Sequence, residues 1–152
     1  MQKYITKRGF EKIKQELEYL KTVKRREIAK KIQEAVAHGD LKENSDYHEA
    51  KREQAFVEGR ILELEQLIRN VVVIDESPKE DGCVRIGSTV VVDFDDEEMK
   101  IKIVGVGEAD PLKGAISYQS PLGQALLGKK EGEDFVLETP EGKKEGKIIK
   151  IE

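Results

Sequence analysis

One cysteine, no tryptophan, two histidines and four prolines are spread over 152 residues. Cys83 alone cannot close an internal disulfide, and no Cys/His cluster has the spacing of a zinc site. No apolar window approaches a transmembrane span, and Met1-Gln2-Lys3-Tyr4-Ile5-Thr6 lacks the apolar core of a signal peptide. The expectation is a cytoplasmic chain in a reducing compartment with no membrane partner. A Gly-rich phosphate loop, a Ser/His/Asp constellation, a nucleophile around Cys83, internal repeats and low-complexity tracts are also missing. What the chain has in quantity is charge: charged and hydrophobic residues each make up 38%. That balance argues against one large core and fits a charged coiled coil beside a small domain. The net charge of −4 is uneven: residues 1–75 hold 16 Lys+Arg against 14 Asp+Glu, and residues 76–152 hold 11 against 17.

The first half carries two helical patterns. Thr6 is positioned as an N-cap, and Phe10, Ile13, Leu17 and Leu20 then recur at spacings of three and four, the seam of a coiled coil. Lys24 occupies that seam before Ile28, Ile32 and Ala35 resume it, and the four-residue stepping reads as a stutter that loosens the supercoil. The first helix is expected from about Lys7 to about Ala37. After a polar break, Tyr47, Ala50, Gln54, Val57, Ile61, Leu64, Ile68 and Val71 repeat without fault. In an antiparallel hairpin, facing residue numbers have a nearly constant sum. Pairing Ile28 with Val57, Leu20 with Leu64, Leu17 with Ile68 and Ile13 with Val71 keeps that sum at 84 or 85, so the chain folds back near residue 42. Two arms of roughly 30 residues make a rod about 45 Å long. An intermolecular coil would share the periodicity, but the break at the fold point favours the hairpin.

From about Ser77 the texture changes to Pro, Gly and alternating β-branched residues, which marks a domain boundary between residues 1–76 and 77–152. Strands are expected at Ser88–Phe94, Met99–Gly105, Ala115–Tyr118, Asp134–Thr139 and Lys144–Ile151, with Glu141-Gly142 turning the last hairpin. One short helix interrupts them, with Ser120 as N-cap, Pro121 at its first position and Gly128 as its stop. The fold class is therefore α+β: a helical hairpin followed by a small, mostly antiparallel β domain with one short helix.

Two carboxylates, Asp40 and Glu43, lie in the break, within a tip that spans residues 38–46. Asp-x-x-Glu before a helix resembles a capping box, in which both side chains serve the helix N-terminus. The alternative is a pair of hard oxygen ligands on an exposed tip, half of a Mg²⁺ site that a partner completes. Lys21, Lys24, Arg25, Arg26, Lys30 and Lys31, extended by Lys51 and Arg52 on the return helix, read either as a solvated face or as a stripe for a nucleic-acid backbone. His38 and His48 flank the tip without a paired ligand spacing, and Tyr47 lies on the seam, where packing is its default role.

The run His38-Gly39-Asp40-Leu41-Lys42-Glu43-Asn44, with Tyr47-His48 and Phe56-Val57-Glu58-Gly59-Arg60-Ile61, closely resembles the bacterial Gre transcript cleavage factors. The run from Ile116 to Lys129 resembles the C-terminal segment of the same family. The resemblance implies an antiparallel coiled-coil domain and an FKBP-like C-terminal domain that docks at the rim of the RNA polymerase secondary channel while the coil enters it. It also implies that Asp40 and Glu43 help hold a second Mg²⁺ in the polymerase active site, where the 3′ end of backtracked RNA is hydrolysed. On this reading the chain has no cofactor of its own, shares Mg²⁺ with the polymerase and is expected to be monomeric. Its candidate RNA contacts are Lys24, Arg25, Lys30, Lys31, Lys51 and Arg52, and its candidate docking surface includes Ser120, Pro121 and Leu122. It is expected to stimulate the polymerase's own cleavage rather than to be an enzyme.

Three other functions compete. Relatives of the same architecture inhibit polymerase and have more acidic tips; Leu41 and Lys42 between the acids favour the cleavage-stimulating kind. An FKBP-like domain suggests a prolyl isomerase, but that pocket needs an aromatic lining and the C-terminal half offers only Phe94, Tyr118 and Phe135. A structural coiled-coil adaptor leaves Asp40 to Asn44 without a reason.

Overall fold

The computed structural model describes residues 2–75 and 82–152. It forms two compact units, Phe10–Asn70 and a second made of Met1–Gly9 with Val71–Glu152. The boundary expected at Ser77 lies outside the described residues.

The first unit is a helical hairpin. Helix α1 (Lys7–Tyr19) passes through a π-helical turn at Leu20–Lys24 into α2 (Arg25–Val36), and α3 (Ser45–Asn70) returns beside it. Alternating steps of three and four would reach Ile28 one residue sooner than the chain does. The surplus residue is taken up in one wide turn, where the Arg25 N–H donates to the Leu20 carbonyl, rather than spread along the coil as a loosened supercoil. The Thr22 hydroxyl donates to the Glu18 carbonyl at 2.7 Å beside this turn, a local bond that eases a departure from α geometry.

Ile28, Val57 and Ile61 form the buried centre of the hairpin, flanked by Leu17, Leu20 and Ile32. Around this narrow seam the arms are joined by charge. Arg25 makes a two-pronged contact to Glu58 at 2.8 and 2.7 Å, and Arg60 makes another to Glu16 at 2.9 and 3.1 Å. Lys24 and Lys31 share Glu53 at 3.0 and 3.3 Å. All of these pairs are antiparallel; Arg25–Glu58 and Lys31–Glu53 lie at the register expected from the sequence, and Lys24–Glu53 and Glu16–Arg60 fall seven to nine short of it in residue-number sum.

Val71 does not close the seam. It opens strand β2 (Val71–Ile74), which pairs in parallel with β1 (Lys3–Thr6), register Lys3↔Val71 to Thr6↔Ile74. Four consecutive β-branched residues prefer extended backbone over a further helical turn. The chain thus enters and leaves the helices through one pair of strands in the second unit. Thr6 Oγ1 accepts from the Gly9 N–H at 3.1 Å, the expected N-cap of α1. The Thr6 hydroxyl donates to the Glu108 carboxylate, which also accepts from the N–H groups of Thr6 and Gly105 at 3.1 and 2.8 Å.

The rest of the second unit is a five-stranded sheet in the order β5-β4-β3-β7-β6, built from β3 (Thr89–Phe94), β4 (Glu97–Val104), β5 (Ala115–Ser117), β6 (Asp134–Thr139) and β7 (Gly142–Ile151). The β4–β5 pair is parallel, so the sheet is mixed rather than wholly antiparallel. Asp95 and Asp96, both at positive φ, make the tight β3–β4 turn that a two-residue hairpin loop requires. Val90, Val92, Ile101, Ile103, Tyr118, Leu126, Phe135 and Ile148 fill one face of the sheet beneath α4 (Pro121–Leu126). The alternation of Val90 and Val92, and of Ile101 and Ile103, is the two-residue period of half-buried strands. Among the described residues no helix is long and apolar enough to cross a membrane.

Candidate functional site

Gly39 ends α2. Its N–H still reaches the Val36 carbonyl at 3.3 Å, but its φ of 117° turns the chain away from the helix, a conformation that glycine adopts without steric penalty. Asp40 begins the turn: its Oδ1 accepts from the Lys42 N–H at 3.0 Å, the local bond with which short carboxylates shape turns. On the other side of the same residue, the Lys42 carbonyl lies 3.3 Å from His48 Nε2.

The helix cap belongs to Asn44. Its Oδ1 accepts from the Tyr47 N–H at 3.0 Å, and the backbone bond from the His48 N–H to the Asn44 carbonyl follows at 3.1 Å. Asp40 and Glu43 therefore form no capping box, because α3 starts at Ser45, two residues beyond Glu43. Asp-x-x-Glu was the visible signal; the correct one was Asn followed three residues later by the start of the seam at Tyr47. The Asn44 side-chain amide also donates to the Ala35 carbonyl at 2.7 Å, satisfying an oxygen at the end of α2 and tying the two helices together below the turn.

Asp40 and Glu43 are left exposed. Among the described residues Glu43 has no hydrogen bond or ion pair, and Asp40 has only its turn bond. No group of three or more His, Cys, Asp or Glu side chains among the described residues can hold a metal. His38 and His48 therefore complete no site with the acids. What the turn presents is two accessible carboxylates; one or two such hard-oxygen donors are what proteins commonly supply to Mg²⁺ when other groups provide the remaining ligands.

The basic stripe divides in two. Lys24, Arg25 and Lys31 are engaged with Glu53 and Glu58 across the hairpin. Hydrogen bonds from Lys24 and then Lys31 hold the Glu53 carboxyl below its ordinary range, and the bond from Arg25 does the same to Glu58. Lys24 and Arg25 are raised in turn by their partners. Lys30, Lys51 and Arg52 are exposed and carry no carboxylate partner among the described residues; Lys51 reaches Gln54 Oε1 at 3.0 Å.

Ser120 caps α4 as expected, accepting from the Gly123 N–H at 3.0 Å and donating to the Ser117 carbonyl at 2.7 Å. Pro121 is exposed at the first helical position, and half-buried Leu122 packs on the sheet core. Gly123 lets the helix close on the strand before it, since a Cβ there would sit 2.3 Å from the Ser117 carbonyl oxygen. Tyr118 and Phe135, 7% and 1% exposed, are committed to the core, with Phe135 stacked on Phe94 at 5.9 Å. The aromatic residues counted for a proline-binding pocket are thus spent on packing.

Residues 3–73 match the family described as "Transcription elongation factor, N-terminal", and residues 78–152 match "Transcription elongation factor, GreA/GreB, C-term". The transcription elongation factor GreA of Clostridium acetobutylicum is 50% identical over 97% of this chain and 94% of its own length. The GreA of Caldanaerobacter subterraneus subsp. tengcongensis is 53% identical over 97% and 95%. Among solved structures, GreA factor homolog 1 of Thermus thermophilus is 32% identical over 100% of this chain and 99% of that one, with a TM-score of 0.46. A GreA/GreB factor from Nitrosomonas europaea is 20% identical over 99% and 98%, with a TM-score of 0.43. Two helices closed by a turn that presents unpaired acids, and a separate sheet unit, are thus the parts of a transcription elongation factor. Within that class the chain belongs to the GreA/GreB family.

Proposed function

We propose that this chain binds RNA polymerase through the secondary channel and stimulates Mg²⁺-dependent cleavage of the 3′ end of backtracked RNA. Its sheet unit, FKBP-like on this reading, docks at the channel rim with the start of α4, including Ser120, Pro121 and Leu122, as part of the contact. The hairpin enters the channel and brings the Asp40–Glu43 turn to the polymerase active site, in the cytoplasm where transcription occurs.

The observation that carries this reading is the availability of the two acids. Asn44 supplies the cap, so Asp40 and Glu43 have no structural task that accounts for both. In the complex their oxygens would hold a Mg²⁺ shared with polymerase groups, and that ion supplies water activation or stabilisation of the leaving oxygen. Because the turn offers only a partial ligand set, it contributes nothing until it is inserted. Cleavage is then conditional on docking, and the chain acts as a factor for the polymerase's own hydrolysis rather than as an enzyme. Lys30, Lys51 and Arg52 meet the phosphates of the extruded RNA, an interaction weakened by salt. Lys24, Arg25 and Lys31 serve the same stripe while holding the helices together.

The test uses a stalled, backtracked elongation complex with 5′-labelled RNA, polymerase and Mg²⁺. The wild-type chain should speed the appearance of a shortened RNA that can still be extended. Asp40→Asn or Glu43→Gln should reduce the stimulation by about 10²-fold, the scale on which one charge-stabilising group acts, with polymerase affinity preserved. Binding without faster shortening by the wild-type chain would make it an inhibitory channel-binding factor. A parallel loss of binding and stimulation in the variants would make the turn a docking element.

A further inference from the structure

The turn that carries Asp40 and Glu43 has no regular structure between Gly39 and Asn44, yet its backbone is tied at several points. The Lys42 peptide, midway between the acids, is held from both sides: its N–H by Asp40 Oδ1 at 3.0 Å and its carbonyl by His48 Nε2 at 3.3 Å. Asn44, directly after Glu43, is half-buried and uses both ends of its amide, one on the Tyr47 N–H and the other on the Ala35 carbonyl. The same Ala35 carbonyl accepts from the His38 N–H at 3.1 Å, so the entrance and the exit of the turn meet at one oxygen.

We propose that Asn44 and His48 are positioning residues for the carboxylate pair, setting the backbone from which Asp40 and Glu43 project. Asn44 fixes the point at which the chain leaves the turn, and His48 fixes the peptide between the acids. Neither touches a metal or RNA. A turn already ordered spends less conformational entropy when it delivers two ligands to an incomplete site, and ligands held in a defined geometry need less Mg²⁺ to be effective. A loosened turn should dock as before and then respond poorly to Mg²⁺. The bond to a carbonyl requires a hydrogen on His48 Nε2, which is present in the Nε2–H neutral tautomer and in the imidazolium.

This inference rests on the cleavage reading, and the experiment separates the two. Full-length Asn44→Asp keeps an acceptor for the helix cap but has no donor for the Ala35 carbonyl. His48→Ala removes the second tie, and His48→Gln restores an N–H within a shorter reach. In the backtracked complex, Asn44→Asp and His48→Ala should each raise the Mg²⁺ concentration for half-maximal stimulation by about two- to tenfold, the range set by one net hydrogen bond. Polymerase affinity should be unchanged, and His48→Gln should recover part of the loss. In the free protein, ¹⁵N spectra should show His48 as the Nε2–H tautomer at alkaline pH, and the Lys42 amide should exchange faster in His48→Ala. An unchanged Mg²⁺ requirement in both variants, with Asp40→Asn still inactive, would overturn the positioning role and leave the cleavage reading intact. If Asp40→Asn stimulates normally, the ligand role of Asp40 falls, and if the wild-type chain binds without speeding cleavage, the cleavage reading falls. The free-protein spectra then decide alone: an Nδ1–H tautomer, or Lys42 exchange unchanged by His48→Ala, overturns the positioning role.

Discussion

The two units are held together by different forces. The sheet unit has a broad core in which Phe135, Val90, Val92, Ile103, Leu126 and Ile148 are almost wholly buried, gathered from strands far apart in sequence and from α4. The hairpin buries a narrow line centred on Ile28, Val57 and Ile61 and adds ion pairs on its flanks. A two-helix arrangement has too little interior to do otherwise: each helix can hide one stripe, and the rest of its surface stays in water. The comparison teaches that the unit carrying the candidate chemistry is the one with less apolar reserve. Charge placed along its edges secures pairing and leaves the turn accessible.

The largest effect that would test this contrast is expected in the sheet. Phe135→Ala should cost about 3–5 kcal/mol in thermal or denaturant unfolding, the usual result of emptying a large buried aromatic site. A loss below about 1 kcal/mol would mean that the sheet core is not organised around Phe135. In the hairpin, Ile61→Ala should cost about 2–4 kcal/mol and show first in the far-UV helical signal. If it left that signal unchanged on heating, the apolar line would be secondary to the ion pairs.

A smaller effect is expected at Gly123, where added bulk meets a backbone oxygen. Gly123→Ala should destabilise the sheet unit by about 1–3 kcal/mol, as overpacking does. Full stability of this variant would show that the start of α4 has slack, which would weaken its use as a rigid docking element.

The smallest effect concerns acid. Glu53 and Glu58 have folded-state pKa values lowered by their Lys24, Lys31 and Arg25 partners. Their stabilisation is complete above the unfolded-state value of about 4.3 and fades as pH falls through the lowered folded values. The helical melting temperature should therefore decline below roughly pH 4.3, and Glu53→Gln with Glu58→Gln should flatten that decline. The same slope in the double variant would remove these pairs from the explanation.

Much of the hairpin was legible because a seam is a local pattern. Steps of three and four from Phe10 to Ile68 gave the arms and the fold point, and Ser120-Pro121 announced α4. Pairings between distant segments were not legible. Nothing local in Lys3–Thr6 says that Val71–Ile74 will lie beside it, although four β-branched residues should have ended the helix there. The parallel contact of β4 with β5 has the same character. At the turn, the availability of the acids was readable but the cap was not, because Asp40, Glu43 and Asn44 are all residues that cap helices, and only geometry decides among neighbours. The surplus residue near Lys24 was visible, but whether it spreads or concentrates is a packing outcome.

That surplus has a consequence for the length of the hairpin. The wide turn at Leu20–Lys24 stores one residue without disturbing the faces on either side, so a one-codon deletion there would return the segment to plain α-helix with Leu17 and Ile28 still on the seam.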